Sequence, residues 1–310
     1  MVAPRARSAR DPAERIAWRR VVVYRRTAWY AVAGPDDGLP ALFLHGWALD
    51  HLAYREAIRR LAGLGCRVWA PALPGFGGTP ELSARHFSFE GFAGWVDGFA
   101  TAVGVDEPAF VVGHSFGGGV AIRFAHDYPA RVRTLVLVNS VGGAAWRGVR
   151  SMAERPLWDW GLHLPSDVLP LRQVRRVIPV ILEDAVPNLV RNPRAVWRVA
   201  QLARKADLTP ELEELKRRRL PVAVLWGDQD ELITKASFDA LCTALGAPGE
   251  VVHGSHSWLL ADPDRFGEVM TNVVEVACVA RSLERPGPHP RTLRSLEGAR
   301  PRDEQSGNSA

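Results

Sequence analysis

Six short apolar runs, each ended abruptly by a glycine, proline or asparagine or by a His-Gly pair, constrain this chain more than any other feature. Ala41-Leu42-Phe43-Leu44 stops at His45-Gly46, Arg67-Val68-Trp69-Ala70 at Pro71, and Ala109-Phe110-Val111-Val112 at Gly113. Leu135-Val136-Leu137-Val138 stops at Asn139, Val222-Ala223-Val224-Leu225-Trp226 at Gly227, and Glu250-Val251-Val252-His253 at Gly254. Runs this short and this continuous fit strands buried on both faces, as in a parallel sheet covered by helices. Helical patterns fall between them, at residues 52–61, 89–103, 116–127 and 234–245. A last helix is expected after Asp262 as N-cap and Pro263 in the first turn, with Phe266, Val269, Met270, Val273, Val274 and Ala277 on one stripe. Strand and helix alternating in this way predict an α/β fold.

Two β-branched and aromatic segments, 18–26 and 27–33, precede the turn Gly34-Pro35-Asp36-Asp37-Gly38 and read as further strands. The Ala31-Val32-Ala33 triplet has the small-x-small shape of a secretory cleavage site, but the apolar stretch before it is too short for a signal peptide. Residues 141–220 break the alternation, with helical patches, many prolines and no convincing strand. This segment holds Trp146, Trp158, Trp160 and Trp197 and is net basic, whereas the rest of the body is net acidic, as expected of a lid inserted into a sheet domain. The organisation predicted is a disordered arm (1–20), a core in two parts (21–140 and 221–284), a helical cap (141–220) and a disordered tail (285–310).

Composition excludes several classes. With 310 residues, 47% hydrophobic and 24% charged, the chain can bury a large core and is no disordered polymer. It has no apolar stretch long enough to span a membrane as a helix. The net charge of +5 comes from the two ends, so a basic nucleic-acid-binding face is not expected on the folded body. Three scattered cysteines, Cys66, Cys242 and Cys278, do not make a disulfide framework and fit a reducing, cytoplasmic compartment.

The stretch richest in chemistry is Gly113-His114-Ser115-Phe116-Gly117, a G-x-S-x-G pattern with an apolar strand before it and an amphipathic helix after it. A serine at such a sharp strand-to-helix turn sits in strained backbone geometry with its hydroxyl thrust out of the sheet. The glycines leave room that side chains would fill, and the helix N-terminus behind the serine favours developing negative charge.

Here the sequence resembles the α/β-hydrolase family. The resemblance covers roughly residues 20 to 284 and rests on five motifs in that family's order. His45-Gly46-Trp47 looks like its oxyanion loop, and Pro74-Gly75-Phe76-Gly77-Gly78-Thr79 like the loop after its fourth strand. Gly113 to Gly117 matches the nucleophile elbow, Trp226-Gly227-Asp228-Gln229-Asp230 the acid loop, and Gly254-Ser255-His256 the histidine loop. The resemblance implies a mostly parallel eight-stranded sheet flanked by helices, with a helical cap inserted after Val138-Asn139-Ser140. It also implies a catalytic triad: Ser115 as nucleophile, His256 as its base and Asp230 orienting the imidazole. Asp228 competes for the acid's place and His253 for the base's, although the first fits a strand-end cap and the second falls in the last strand. The oxyanion donors would be the backbone N–H groups of Trp47 and Phe116.

The Trp47 side chain is expected either to wall the acyl pocket or to pack against the cap. His45 and His114 read as structural, held by ring hydrogen bonds. His51, His86, His126, His163 and His289 lack ligand spacing, so no metal is expected, and no glycine pattern implies a nucleotide cofactor. In the cap, the tryptophans with Leu157, Leu162, Leu164, Leu169 and Ile181 either line an apolar cavity or bury the cap on the core. The cap's arginines, above an acidic core, should hold the lid down. Arg191 or Arg194 could meet a substrate carboxylate, while Arg172, Arg175, Arg176 and residues 216–219 read as solvated faces.

A serine at 115 disfavours the epoxide hydrolase and haloalkane dehalogenase branches, whose elbow carries aspartate. The branch that hydrolyses carbon–carbon bonds of ring-fission diketone acids uses serine and a cap arginine, but tends to have Trp directly after the catalytic His, where this chain has Ser257 and then Trp258. The expected function is therefore hydrolysis of a small to medium, fairly apolar carboxylic ester through an acyl-enzyme. Carbon–carbon hydrolysis and a non-catalytic ligand-binding module are the alternatives. The partner expected is a small molecule; the sequence leaves the oligomeric state open.

Overall fold

The structure, a computed structural model, describes residues 15–143, 179 and 181–284. The expectations for most of the arm and for the tail, and for Trp146, Trp158, Trp160, Leu157, Leu162, Leu164, Leu169, Arg172, Arg175 and Arg176, lie outside the described residues.

Eight strands form one sheet: β1 (Ala17–Val23), β2 (Arg26–Ala33), β3 (Leu39–Leu44), β4 (Cys66–Pro71), β5 (Ala109–His114), β6 (Val132–Val138), β7 (Val222–Gly227) and β8 (Glu250–Val252). Their order across the sheet is β1-β2-β4-β3-β5-β6-β7-β8. Only β2 runs against the rest; the pairings from β4 through β8 are all parallel. The continuous apolar runs have a direct cause. Leu42, Leu44, Val111, Leu135 and Leu137 face one buried cluster, while Ala41, Phe43, Val112, Val136 and Val138 face another on the opposite side of the sheet. With both faces covered, neither side of a strand has water to meet, so alternation disappears.

The helices are α1 (Arg55–Gly63), α2 (Phe89–Ala102), α3 (Phe116–Asp127), α4 (Val186–Arg191), α5 (Pro193–Arg204), α6 (Thr209–Arg217), α7 (Lys235–Leu245), α8 (Trp258–Ala261) and α9 (Pro263–Glu284). Helix α3 has the bounds expected. Helix α9 starts as expected, with the Asp262 carboxylate accepting from the Arg265 N–H at 3.1 Å.

Two local expectations are corrected. The pattern over 52–61 does not begin a helix at Leu52: the Asp50 side chain accepts from the Leu52 N–H at 2.8 Å, a side-chain turn that delays α1 to Arg55. The first strand stops at Val23 rather than continuing to Arg26, because Tyr24 and Arg25 both take positive φ, 46° and 66°, and make a two-residue hairpin turn. Neither is a glycine or asparagine, so the turn is costly locally. The Tyr24 hydroxyl, donating to the Gly94 carbonyl of α2 at 3.0 Å, helps hold it.

Of the segment expected as a lid, the described part is helical: an irregular turn at Ile181–Ala185, then α4, α5 and α6. Helix α6 packs on the core, with Leu212 and Leu215 fully buried and Glu211 paired to Arg123 of α3 at 3.0 Å.

Candidate active site

Ser115 stands between β5 and α3 with φ 53° and ψ −117°, a conformation that non-glycine residues rarely adopt. Neighbouring contacts enforce it. A Cβ built on Gly117 would lie 2.3 Å from the Leu44 carbonyl oxygen and 2.5 Å from that of His45, so any side chain there would drive α3 off the end of β3. The Ser115 N–H donates to the Val138 carbonyl at 3.0 Å, and its own carbonyl accepts from Gly118 and Val141. Phe116, expected as one oxyanion donor, is the first residue of α3, where an N–H has no acceptor inside its own helix.

The acid and the histidine expected from their loops are joined. His256 Nδ1 lies 2.8 Å from Asp230 Oδ2, both side chains buried. Asp230 is gripped on every side. Its Oδ1 accepts from the N–H groups of Leu232 and Ile233, each at 2.8 Å, and its Oδ2 also accepts from the Asn139 side-chain amide. Four donors on one buried carboxylate fix its direction. The histidine loop in turn sits against the elbow: the rings of His114 and His256 lie 5.0 Å apart, and His114 Nε2 donates to the His256 carbonyl at 3.0 Å.

The rival residues have found each other instead. His253, just past the end of β8, meets Asp228 at 3.1 Å on the surface, with 78% of the His253 side chain exposed. The Asp228 carboxylate caps the Gly254 N–H at 3.0 Å, which holds its pKa below the usual range, helped by His253. His45 and His114 have the ring hydrogen bonds expected of structural residues. His45 accepts from the Leu73 N–H through Nε2 and donates to the Gly46 carbonyl through Nδ1, both at 2.8 Å. Burial pushes the His45 pKa down to about 4 and that of His114 to about 3. No group of histidines, cysteines and carboxylates among the described residues is arranged to hold a metal ion.

Asn139 was not among the residues singled out from sequence. It is buried at the end of β6 with φ 45°. Its amide nitrogen serves Asp230, and its oxygen accepts from the Trp258 indole N–H at 3.0 Å and the Gly227 N–H at 3.3 Å. A polar residue closing an apolar strand at the carboxyl edge of a parallel sheet was the one available signal.

Comparison with known proteins bears on the whole arrangement. Residues 41–269 match the Alpha/beta hydrolase family. The chain belongs to the α/β-hydrolase family. It is 30% identical, over 77% of its length and 88% of the relative's, to a Mycobacterium phage D29 protein named as a non-heme haloperoxidase. It is likewise 30% identical to a pimeloyl-acyl-carrier-protein methyl ester esterase of Aromatoleum aromaticum, over 66% of this chain and 84% of that one. An esterase structure from Rhodococcus sp. ECU1013 shares the fold, with TM-score 0.65 and 21% identity over 83% of this chain and 98% of that one. The protein is an enzyme of the α/β-hydrolase class.

In this α/β-hydrolase several neutral and acidic groups tie the described part of the cap to the core. The Trp47 indole N–H donates to the Val196 carbonyl of α5 at 2.7 Å, so the ring is tied to the cap. Asn188 donates to the Ala48 carbonyl at 3.1 Å and accepts from the Gly77 N–H at 3.0 Å. Asp184 accepts from the Asp50 N–H at 3.0 Å, and burial together with the neighbouring Asp50 raises the Asp184 pKa well above the ordinary carboxylate range.

Among the described residues the expected arginine-to-acid attraction joins Arg198 to Glu81, with the Arg198 guanidinium 3.7 Å from the centre of the Phe87 ring. Two other pairs have the opposite sense, core Arg55 with Glu183 and core Arg123 with Glu211. Arg191 and Arg194 are both exposed, on either side of the corner where Asn192 caps α5. Trp197 is 56% exposed and belongs to neither buried cluster. Of Ile181 only the backbone is described. No helix among the described residues is long and apolar enough to cross a membrane.

Proposed function

We propose that the protein is a serine hydrolase that cleaves a small to medium, fairly apolar carboxylic ester through an acyl-enzyme. The observation that carries this reading is the buried 2.8 Å contact of His256 with a four-times hydrogen-bonded Asp230, on a loop packed against the strained Ser115 turn. In this mechanism Ser115 Oγ attacks the ester carbonyl carbon while His256 Nε2 takes the hydroxyl proton. The carbonyl oxygen becomes an oxyanion received by the N–H groups of Trp47 and Phe116. Collapse of that intermediate breaks the bond to the alkoxy oxygen, which leaves as alcohol with the proton from His256. Water, deprotonated by the same imidazole, then attacks the acyl-serine and releases the carboxylic acid.

The exposed positions of Arg191 and Arg194 favour an ester over a ring-fission diketone acid, whose carboxylate would need a cation facing the reacting carbons. The test is labelling with a fluorophosphonate at pH 8, alongside turnover of p-nitrophenyl esters of graded chain length and of a vinylogous 1,5-diketone acid. Labelling of wild type, its loss in Ser115→Ala and a preference for short to medium esters are expected. Absence of labelling would favour a binding module. Faster turnover of the diketone, lost in Arg191→Ala or Arg194→Ala, would favour carbon–carbon hydrolysis.

A further inference from the structure

Tyr54 lies at the start of α1, fully buried. Its ring packs on Phe43 of β3 with centroids 5.1 Å apart. Its hydroxyl does two things at once. It accepts from the Gly46 N–H at 3.0 Å, and it lies 2.7 Å from His114 Nδ1. Because His114 Nε2 faces the His256 carbonyl, which can only accept, the His114 proton sits on Nε2 and the Tyr54 hydroxyl donates to Nδ1. The result is one directed chain: Gly46 N–H to Tyr54, Tyr54 to His114, His114 to the backbone of His256. It ties together three loops that come from distant parts of the chain.

The chain is packed without slack. A Cβ on Gly46 would lie 2.8 Å from His114 Nδ1, 3.0 Å from the Tyr54 hydroxyl and 3.3 Å from Ser115 Cβ, so the loop carrying Trp47 is pressed against the elbow at this point. The segment leading into Tyr54 is covered by the cap, since the Asp50 N–H donates to Asp184.

We infer that Tyr54 is a positioning residue for the reaction proposed above: its hydroxyl anchors the Gly46 N–H and so holds in place the next peptide, which carries the Trp47 N–H as oxyanion donor, and through His114 it fixes the height of the His256 backbone. The inference rests on the serine hydrolase reading. Tyr54 touches neither substrate nor reacting atom. Its effect belongs in the transition state, because the position of the Trp47 N–H matters most once the carbonyl oxygen carries charge.

The experiment uses the full chain with Tyr54→Phe, His114→Leu, His114→Gln and the Tyr54→Phe/His114→Leu double variant. Tyr54→Phe is expected to lower kcat for a p-nitrophenyl ester by about 10- to 100-fold, the scale of a small displacement at a reacting centre, with KM within about 3-fold. Fluorophosphonate labelling of Ser115 and affinity for an alkyl trifluoromethyl ketone, which adds to the serine as a tetrahedral oxyanion, should fall by similar factors. His114→Leu should match it, and the double variant should be no worse than the worse single, since both break one chain. His114→Gln, which can still accept and donate, should recover much of the loss. Costs that multiply in the double variant, or a Tyr54→Phe loss expressed mainly in KM and melting temperature, would overturn the inference. Wild type that labels, with Tyr54→Phe labelling at the same rate, overturns the inference alone. Wild type that takes no label overturns the serine reading beneath it.

Discussion

Asn139 gives the sharpest test of how the candidate acid is held. Asn139→Ala removes three hydrogen bonds inside a fully buried site. The Trp258 indole N–H, on a side chain only 1% exposed, is left without an acceptor, at a cost of about 1–3 kcal/mol. The 3.3 Å bond from Gly227 is long and adds at most about 1 kcal/mol. The bond to the Asp230 carboxylate involves a charged group and accounts for about 1.5–3 kcal/mol. Alanine at φ 45° adds about 1 kcal/mol that asparagine largely escapes. Allowing for relaxation, Asn139→Ala should destabilise by about 4 kcal/mol, a large part of the stability of an ordinary domain. Asn139→Gly should recover only the backbone share of about 1 kcal/mol. Both variants should lose about 10- to 100-fold in kcat, because Asp230 keeps its backbone donors but gains freedom to turn away from His256. Chemical denaturation and ester turnover measure the two effects. An alanine variant within about 1 kcal/mol of wild type, or a glycine variant fully restored in both, would refute the reasoning.

Further outcomes follow from the same geometry. Asp230→Asn should lower kcat by about 10^4-fold, whereas His253→Gln, which touches only the surface pair, and Asp228→Asn, whose amide oxygen can still accept from the Gly254 N–H, should leave kcat within about 2-fold; the ester assay separates them. Gly117→Ala should fail to accumulate as folded protein, since its Cβ meets backbone carbonyls rather than a movable side chain, and circular dichroism with thermal melts checks this. Asp184 has a raised pKa in the folded state, so it binds a proton that the unfolded chain gives up. Its contribution is present below about pH 4 and is lost as pH rises to about 8. Asp184→Asn, uncharged throughout, should flatten that decline, as read from urea midpoints across the range; an unchanged slope in the variant would exclude Asp184 as its source.

Features legible in the sequence share one property: their cause is local. The apolar runs give the strands because burial on both faces removes alternation within a few residues. The G-x-S-x-G pattern marks the elbow because the turn needs small residues beside the serine. Choosing Asp230 over Asp228 depended on motif position rather than on chemistry, since both are carboxylates beyond the same strand. In the fold the two part company: the Asp230 N–H closes a turn onto the Gly227 carbonyl and its carboxylate meets His256, while Asp228 faces solvent with His253.

Asn139, Tyr54 and Asp184 could not be read from sequence in this way. Their decisive partners lie 91, 60 and 134 residues away, so no window along the chain contains the pair. The same holds for Arg191 and Arg194, whose charge suggested a role at the site and whose exposure emerged only once α4 and α5 were set against the core. Sequence alone determined which segments are strands, where the chain turns sharply and which side chains are able to do acid, base or nucleophile chemistry, because steric and solvation rules act within a few residues. Tertiary structure alone decided which buried polar groups face one another. That follows from the order of strands across the sheet, and each buried donor or acceptor must find its partner among whatever that order brings within reach.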